Sequence, residues 1–193
     1  MSKSKQEILQ FIKTFADKAH GDQVRKYTGE RYISHPVRVM EMVRKYNDEV
    51  SVLAAALLHD VLEDTRVTRA GMEKMLLEVL DAPQSKKAVQ LVVELTDIFI
   101  NKDYPTLSRR SRKEKEAQRL GAVSPEAQSI KYADIIDNIT DIVSQDTDFA
   151  RIFVREAKRM LAVMDAGHPQ LREHAIALSD RCMHDLQKPA ELS

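Results

Sequence analysis

The residues best suited to chemistry lie together in one short run, His59-Asp60-Val61-Leu62-Glu63-Asp64. They close a stretch, Val52 to Leu58, that is apolar throughout. A helix that is apolar on every side is a buried helix. Polar groups at its end carry a desolvation cost unless something pairs them. On a helix His59 and Glu63 share a face, and so do Asp60 and Asp64, because residues four apart are neighbours. His35 stands upstream at a helix start, and Asp134 stands downstream inside an apolar helical stripe with Asn138 one turn on. Two histidines and two aspartates make a mixed nitrogen and oxygen donor set. Such a set suits Mn2+, Fe2+ or a similar divalent ion, with positions left for water or a phosphate oxygen. The ion would polarise a phosphoryl oxygen and lower the pKa of a bound water. Glu63 and Asp64, beside the ligands, would orient or deprotonate that water. Thiolate-rich zinc is excluded, because Cys182 is the single cysteine. Spacing alone leaves a second reading open, in which the run is a helix end whose polar groups satisfy one another.

The elements that must position these groups read as helices. Ile8, Phe11, Ile12 and Phe15 form an i, i+3, i+4, i+7 stripe. His35-Pro36 predicts a helix start with Pro36 at the first helical position. A third helix runs from about Asp48 to Asp64 and is buried at its centre. Thr68 caps a fourth, which Pro83 ends, and a fifth starts near Ser85. Residues 101–107 read as a loop. Gly121 stops the charged segment before it, and Ser124-Pro125-Glu126 restarts a helix that carries Ile130, Ala133, Ile136 and Val143. Two further helices flank Gly167. The expectation is one all-α domain over residues 1–193, a bundle of about eight to nine helices.

Composition agrees and narrows the partners. The 193 residues are 43% hydrophobic and 31% charged, so a core and a charged surface are both available. Five Gly, six Pro and 5% aromatics favour helices over a sandwich or barrel. Thirty basic and thirty acidic side chains give zero net charge, which argues against a non-specific nucleic-acid binder or an anionic-membrane binder. The longest apolar run is seven residues, far short of a membrane span, and the N-terminus has no apolar leader core. The expected setting is cytoplasmic.

The joined pattern of His35, the run 59–64 and Lys131-Tyr132-Ala133-Asp134 resembles the H…HDxxED…D signature of HD-domain metal phosphohydrolases. Within them it is similar to the RelA/SpoT-type hydrolase domain, particularly the stand-alone small alarmone hydrolases. The stretches AHGDQVRK (19–26), GERYISHP (29–36), AAALLHDVLEDT (54–65), ELTD (94–97) and IKYADIIDN (130–138) carry the likeness over residues 8–180 or so. The resemblance implies an HD-type helical bundle. It implies that His35, His59, Asp60 and Asp134 hold one ion, Mn2+ in this family, and that Glu63 and Asp64 activate and position the attacking water. It implies that Arg25, Lys26 and Asn138 contact a nucleotide substrate. The implied reaction removes the 3′-pyrophosphate of guanosine tetra- or pentaphosphate.

Four positions depart from the pattern. Ile135 and Thr140 stand where relatives often carry basic residues, and Asp137 and Asp141 add negative charge nearby. The metal chemistry is untouched, but the base is left open. An adenosine alarmone, a deoxynucleotide or NADPH is the alternative substrate, and a catalytically silent nucleotide sensor is a further reading.

The cations of 109–119 (Arg109, Arg110, Arg112, Lys113, Lys115 and Arg119) outnumber Glu114 and Glu116. They read as a solvated helix face in preference to a substrate contact. His168, His174 and His184 lack ligand spacing and read as surface or structural, whereas His20 reads as structural or as a neighbour of the site.

Overall fold

A computed structural model of the chain describes residues 3–143 and 145–187. Among these residues ten α-helical segments form and no strand does. Backbone contacts group the chain into two compact units, residues 1–97 and 98–193.

The first unit is built on α3 (Val50–Leu58), whose residues from Ser51 to Leu58 are all buried. Three helices pack on it: α1 (Lys5–His20), α2 (Ser34–Arg44) and α6 (Ala82–Leu95). Short α4 (Val61–Asp64) lies against α1, and α5 (Arg69–Leu76) lies against α6. Each amphipathic partner turns its apolar stripe inward, for example Leu9, Ile12 and Ala16 of α1 and Val39, Met40 and Val43 of α2.

The second unit holds α7 (Arg109–Leu120), α8 (Pro125–Val143), α9 (Thr147–Val163) and α10 (Pro169–Gln187). Helices α8, α9 and α10 pack on one another, and α7 packs on α9. The loop after α9 is drawn onto α8. Tyr132 donates its hydroxyl to the Met164 carbonyl at 2.8 Å, and the Gln128 Oε1 accepts from Ala166 N–H at 2.9 Å.

The expected caps are present at Thr68, which accepts from Gly71 N–H, and at Gly121, which follows α7. The restart at Ser124-Pro125 opens α8. Other boundaries differ. The helix expected over 48–64 is interrupted at His59-Asp60, where Asp60 has φ −94° and ψ −8°, so α3 and α4 are separate. Counted as one interrupted helix they would bring the ten segments to nine.

Pro83 does not end a helix. It sits in the first turn of α6, where a missing N–H loses no intrahelical bond, behind a capping box of Asp81 and Gln84. Pro36 is the third residue of α2, still within the turn whose N–H groups lack partners. Segment 21–33 is a tight reversal. Val24 and Arg31 bridge antiparallel, Arg25 N–H meets the Glu30 carbonyl at 2.8 Å, and Gly29 supplies a left-handed φ of 71°.

Candidate metal centre

The interruption between α3 and α4 gathers one cluster in the first unit. His59, capping α3, is buried and its Nδ1 lies 2.9 Å from the Ala56 carbonyl. A carbonyl only accepts, so Nδ1 carries a proton there. The His59 Nε2 lies 3.2 Å from Asp60 Oδ2. His35 arrives from α2, also buried, with its Nε2 3.4 Å from the same oxygen. The two imidazoles stand edge to face with centroids 5.1 Å apart. The Tyr32 hydroxyl donates to Asp60 Oδ2 at 2.7 Å.

These contacts decide the charge of Asp60. Burial alone would raise its carboxyl, but the charge of His59 and hydrogen bonds from His35 and His59 outweigh it and hold the group well below the usual carboxylate range. Tyr32 responds in the opposite sense. Burial, then the charges of Asp60 and Asp64, push its phenol far above the ordinary tyrosine value, so it stays a hydrogen-bond donor.

Glu63 and Asp64 were expected at a buried helix end; both are exposed. The break at Asp60 separates the buried cluster from a four-residue turn at the surface. Glu63 Oε1 accepts from Asp97 N–H at 2.5 Å. The Asp64 carboxyl faces Tyr32 and Gln23, and partial burial followed by the charge of Asp60 raises it. Ala19, Glu63, Asp64, Thr65, Arg66 and Val67 line an open cleft of about 620 Å³.

The Arg25 guanidinium lies 5.7 Å from the Tyr32 ring centroid, which ties it to this cluster. Lys26 is exposed and engages Tyr27, its Nζ 3.0 Å from the hydroxyl. Sequence reasoning missed Tyr32, and it placed His20 as structural or a neighbour of the site. The signal was the aromatic three positions before His35 in a segment fixed by Gly29. His20 stacks on Tyr32 at 4.4 Å, and its Nδ1 meets Gln23 Oε1 at 3.0 Å.

In the second unit Asp134 is buried on α8. Lys131 Nζ lies 2.8 Å from its Oδ2, and Asn138 donates to its Oδ1 at 2.6 Å. Asn138 is therefore placed to orient Asp134. Ile135 is 1% exposed and belongs to the core, and Thr140 spends its hydroxyl on the Ile136 carbonyl. In the 109–119 segment, Arg110 pairs with Glu114 at the surface, while Arg109 makes a two-pronged pair with Glu156 at 2.9 Å in each arm.

His35, His59 and Asp134 are buried side chains of the kinds that offer ligand atoms to a metal ion. The donors fit a borderline divalent ion. The bond of His59 Nδ1 to the Ala56 carbonyl turns Nε2 toward Asp60, and that carboxylate is ionised.

Comparison with known proteins places this geometry in a family. The HD-domain family model matches residues 13–168. The human guanosine-3′,5′-bis(diphosphate) 3′-pyrophosphohydrolase MESH1 is 33% identical over 131 residues, covering 66% of this chain and 65% of that protein. A probable guanosine-3′,5′-bis(diphosphate) 3′-pyrophosphohydrolase of Mycoplasma pneumoniae is 26% identical over 154 residues, covering 77% of this chain and 20% of that protein. The chain thus spans less than two thirds of either relative's length. A solved metazoan orthologue of SpoT, described as hydrolysing ppGpp, superposes with a TM-score of 0.74 at 25% identity, covering 94% of this chain and 97% of that one. With the family model spanning most of its length, the chain belongs to the HD-domain family.

Proposed function

We propose that this chain is a metal-dependent hydrolase that removes the 3′-pyrophosphate of guanosine tetra- or pentaphosphate, and that residues 1–193 form one catalytic domain. The observation that carries the reading is the pair of buried imidazoles, His35 and His59, whose Nε2 atoms converge on an ionised Asp60. The likeness to named 3′-pyrophosphohydrolases supports the substrate. His35, His59, Asp60 and Asp134 are the proposed ligands, and Mn2+ the proposed ion, with Fe2+ the alternative. When bound, such an ion polarises a phosphoryl oxygen and acidifies water.

The side chains then divide the work. Asp64, with a carboxyl raised above its ordinary value, takes the water's proton. Glu63, held by Asp97 N–H through Oε1, orients that water. Arg25, stacked on Tyr32, neutralises phosphate charge, and Lys26 adds a second cation. Asn138 serves first to orient Asp134. The proposed setting is cytoplasmic; no helix among the described residues is long and apolar enough to cross a membrane.

A second reading keeps the chemistry and changes the base. Ile135 is sealed in the core and Thr140 is bonded to its own helix, so neither offers a cation to a guanine-type nucleotide. An adenosine alarmone, a deoxynucleotide or NADPH then becomes the competing substrate. A panel of guanosine tetraphosphate, its adenosine counterpart, a deoxynucleotide triphosphate and NADPH, each with Mn2+, decides. The highest kcat/KM on guanosine tetraphosphate upholds the first reading. Preference for another member transfers the assignment, and inactivity on all with Mn2+ bound makes the chain a sensor.

A further inference from the structure

The tight reversal at 21–33 delivers an aromatic hydroxyl that the proposed reaction leaves without a task. Tyr32 donates to Asp60 Oδ2 at 2.7 Å, the oxygen that both Nε2 atoms approach. The Asp64 carboxyl faces the same hydroxyl. One phenol therefore faces both the carboxylate assigned to the ion and the carboxylate assigned to the water. The ring is held on several sides. His20 stacks on it at 4.4 Å, His35 meets its edge at 6.0 Å, and the Arg25 guanidinium lies 5.7 Å from its centroid. His20 is itself fixed by Gln23, whose Oε1 lies 3.0 Å from its Nδ1.

We infer that Tyr32 is a positioning residue, whose hydroxyl sets the Asp60 carboxylate for the ion and keeps Asp64 in register with it. A carboxylate free to rotate presents its lone pairs to the ion only part of the time. A donor on one oxygen fixes the plane of the group, and partners of this kind typically change metal affinity or activity about 10- to 100-fold when removed. Replacement by Phe keeps the stack on His20 and removes only the hydroxyl.

This inference rests on the proposed metal reading, and the test separates the two. Mn2+ alone is titrated calorimetrically into metal-free wild type, Tyr32→Phe and Asp60→Ala, with thermal melting of each. Tyr32→Phe is expected to weaken Mn2+ binding about 10- to 100-fold. The Mn2+ concentration for half-maximal turnover should rise by the same factor, while KM for the nucleotide stays within about twofold. Mn2+ affinity of Tyr32→Phe within twofold of wild type, with binding lost in Asp60→Ala, overturns the role of Tyr32 and leaves the metal reading standing. Full affinity in Asp60→Ala overturns the metal reading itself. Should Tyr32→Phe fail to fold, His20→Asn keeps the hydroxyl but frees the ring. It is expected to lose affinity in the same direction by a smaller factor, and unchanged binding there also overturns the inference.

Discussion

Replacing Gly167 with alanine is a severe test of how α8 is held. A Cβ at this position would stand 2.4 Å from Tyr132 Cε2, 3.0 Å from Ser129 N and 3.1 Å from Gln128 Cβ. None of these can yield cheaply. Ser129 N is backbone, and Tyr132 is fully buried with its hydroxyl bonded to the Met164 carbonyl at 2.8 Å. Overpacking of a tight core costs about 1–3 kcal/mol. Displacing the tyrosine forfeits a buried hydrogen bond worth about 1 kcal/mol more. The expected loss is about 2–4 kcal/mol. At roughly 2–4 °C per kcal/mol for a chain of this size, the melting temperature falls by roughly 4–16 °C. Tyr132 lies two residues before Asp134, so Mn2+ affinity should fall with it. Thermal and urea melts of wild type and Gly167→Ala measure the effect. Gly71→Ala is the control. Its Cβ meets only Thr68 Oγ1 at 3.4 Å, and helix propensity favours alanine by about 0.5–1 kcal/mol. A Gly167→Ala variant within about 0.5 kcal/mol of wild type would refute the packing argument, because surface changes of no consequence fall in that range.

Other expectations concern the charges. At 100 times its Kd, Mn2+ should stabilise the wild type by about 2.7 kcal/mol, seen as a melting shift that EDTA reverses, and Asp60→Ala should show none. In the metal-free protein the Asp60 carboxyl lies below its ordinary value of 3.8, so its contribution to stability is present above that value and lost as pH falls beneath it. Asp60→Asn should flatten that acid limb in urea melts between about pH 4 and pH 2, and an unchanged limb would contradict the assignment. Asp64, raised, acts in the opposite sense, its contribution lost as pH rises through its folded value. Glu116→Ala should destabilise by about 2–3 kcal/mol, since it strands the N–H groups of Ile98 and Phe99 and removes a carboxylate that pairs with Arg119. Arg110→Ala, by contrast, removes an exposed pair with Glu114 and should leave kcat/KM within about twofold, as expected of a solvated face.

Much of the helical frame was legible because its signals are local. The unbroken apolar stretch Val52 to Leu58 could only be buried, and Thr68, Gly121 and Ser124-Pro125 carry their cap chemistry in the sequence. Pro83 was misread because proline marks both ends of helices. The Asp81–Gln84 capping box decides for a start, and it needs the pair to be weighed together. The interruption at His59-Asp60 was invisible to periodicity, since both α3 and α4 keep helical spacing across it. It follows from that break that Glu63 and Asp64 lie at the surface while His59 is buried. Residue types sufficed to nominate His35, His59, Asp60 and Asp134. The partners that fix them are tertiary facts, as with the Tyr32 hydroxyl on Asp60, or choices among rotamers, as with Asn138 and Lys131 on Asp134. No spacing rule specifies these.

The central claim is that a divalent ion held through Asp60 drives release of a nucleotide's 3′-pyrophosphate. The most direct measurement is a time course of pyrophosphate release from guanosine tetraphosphate by protein stripped with EDTA and then resupplied with Mn2+, run beside Asp60→Ala. The account predicts no release by the stripped protein, full release with guanosine diphosphate as coproduct once Mn2+ returns, and none from the variant. Equal turnover by the stripped protein, or by Asp60→Ala, would contradict it.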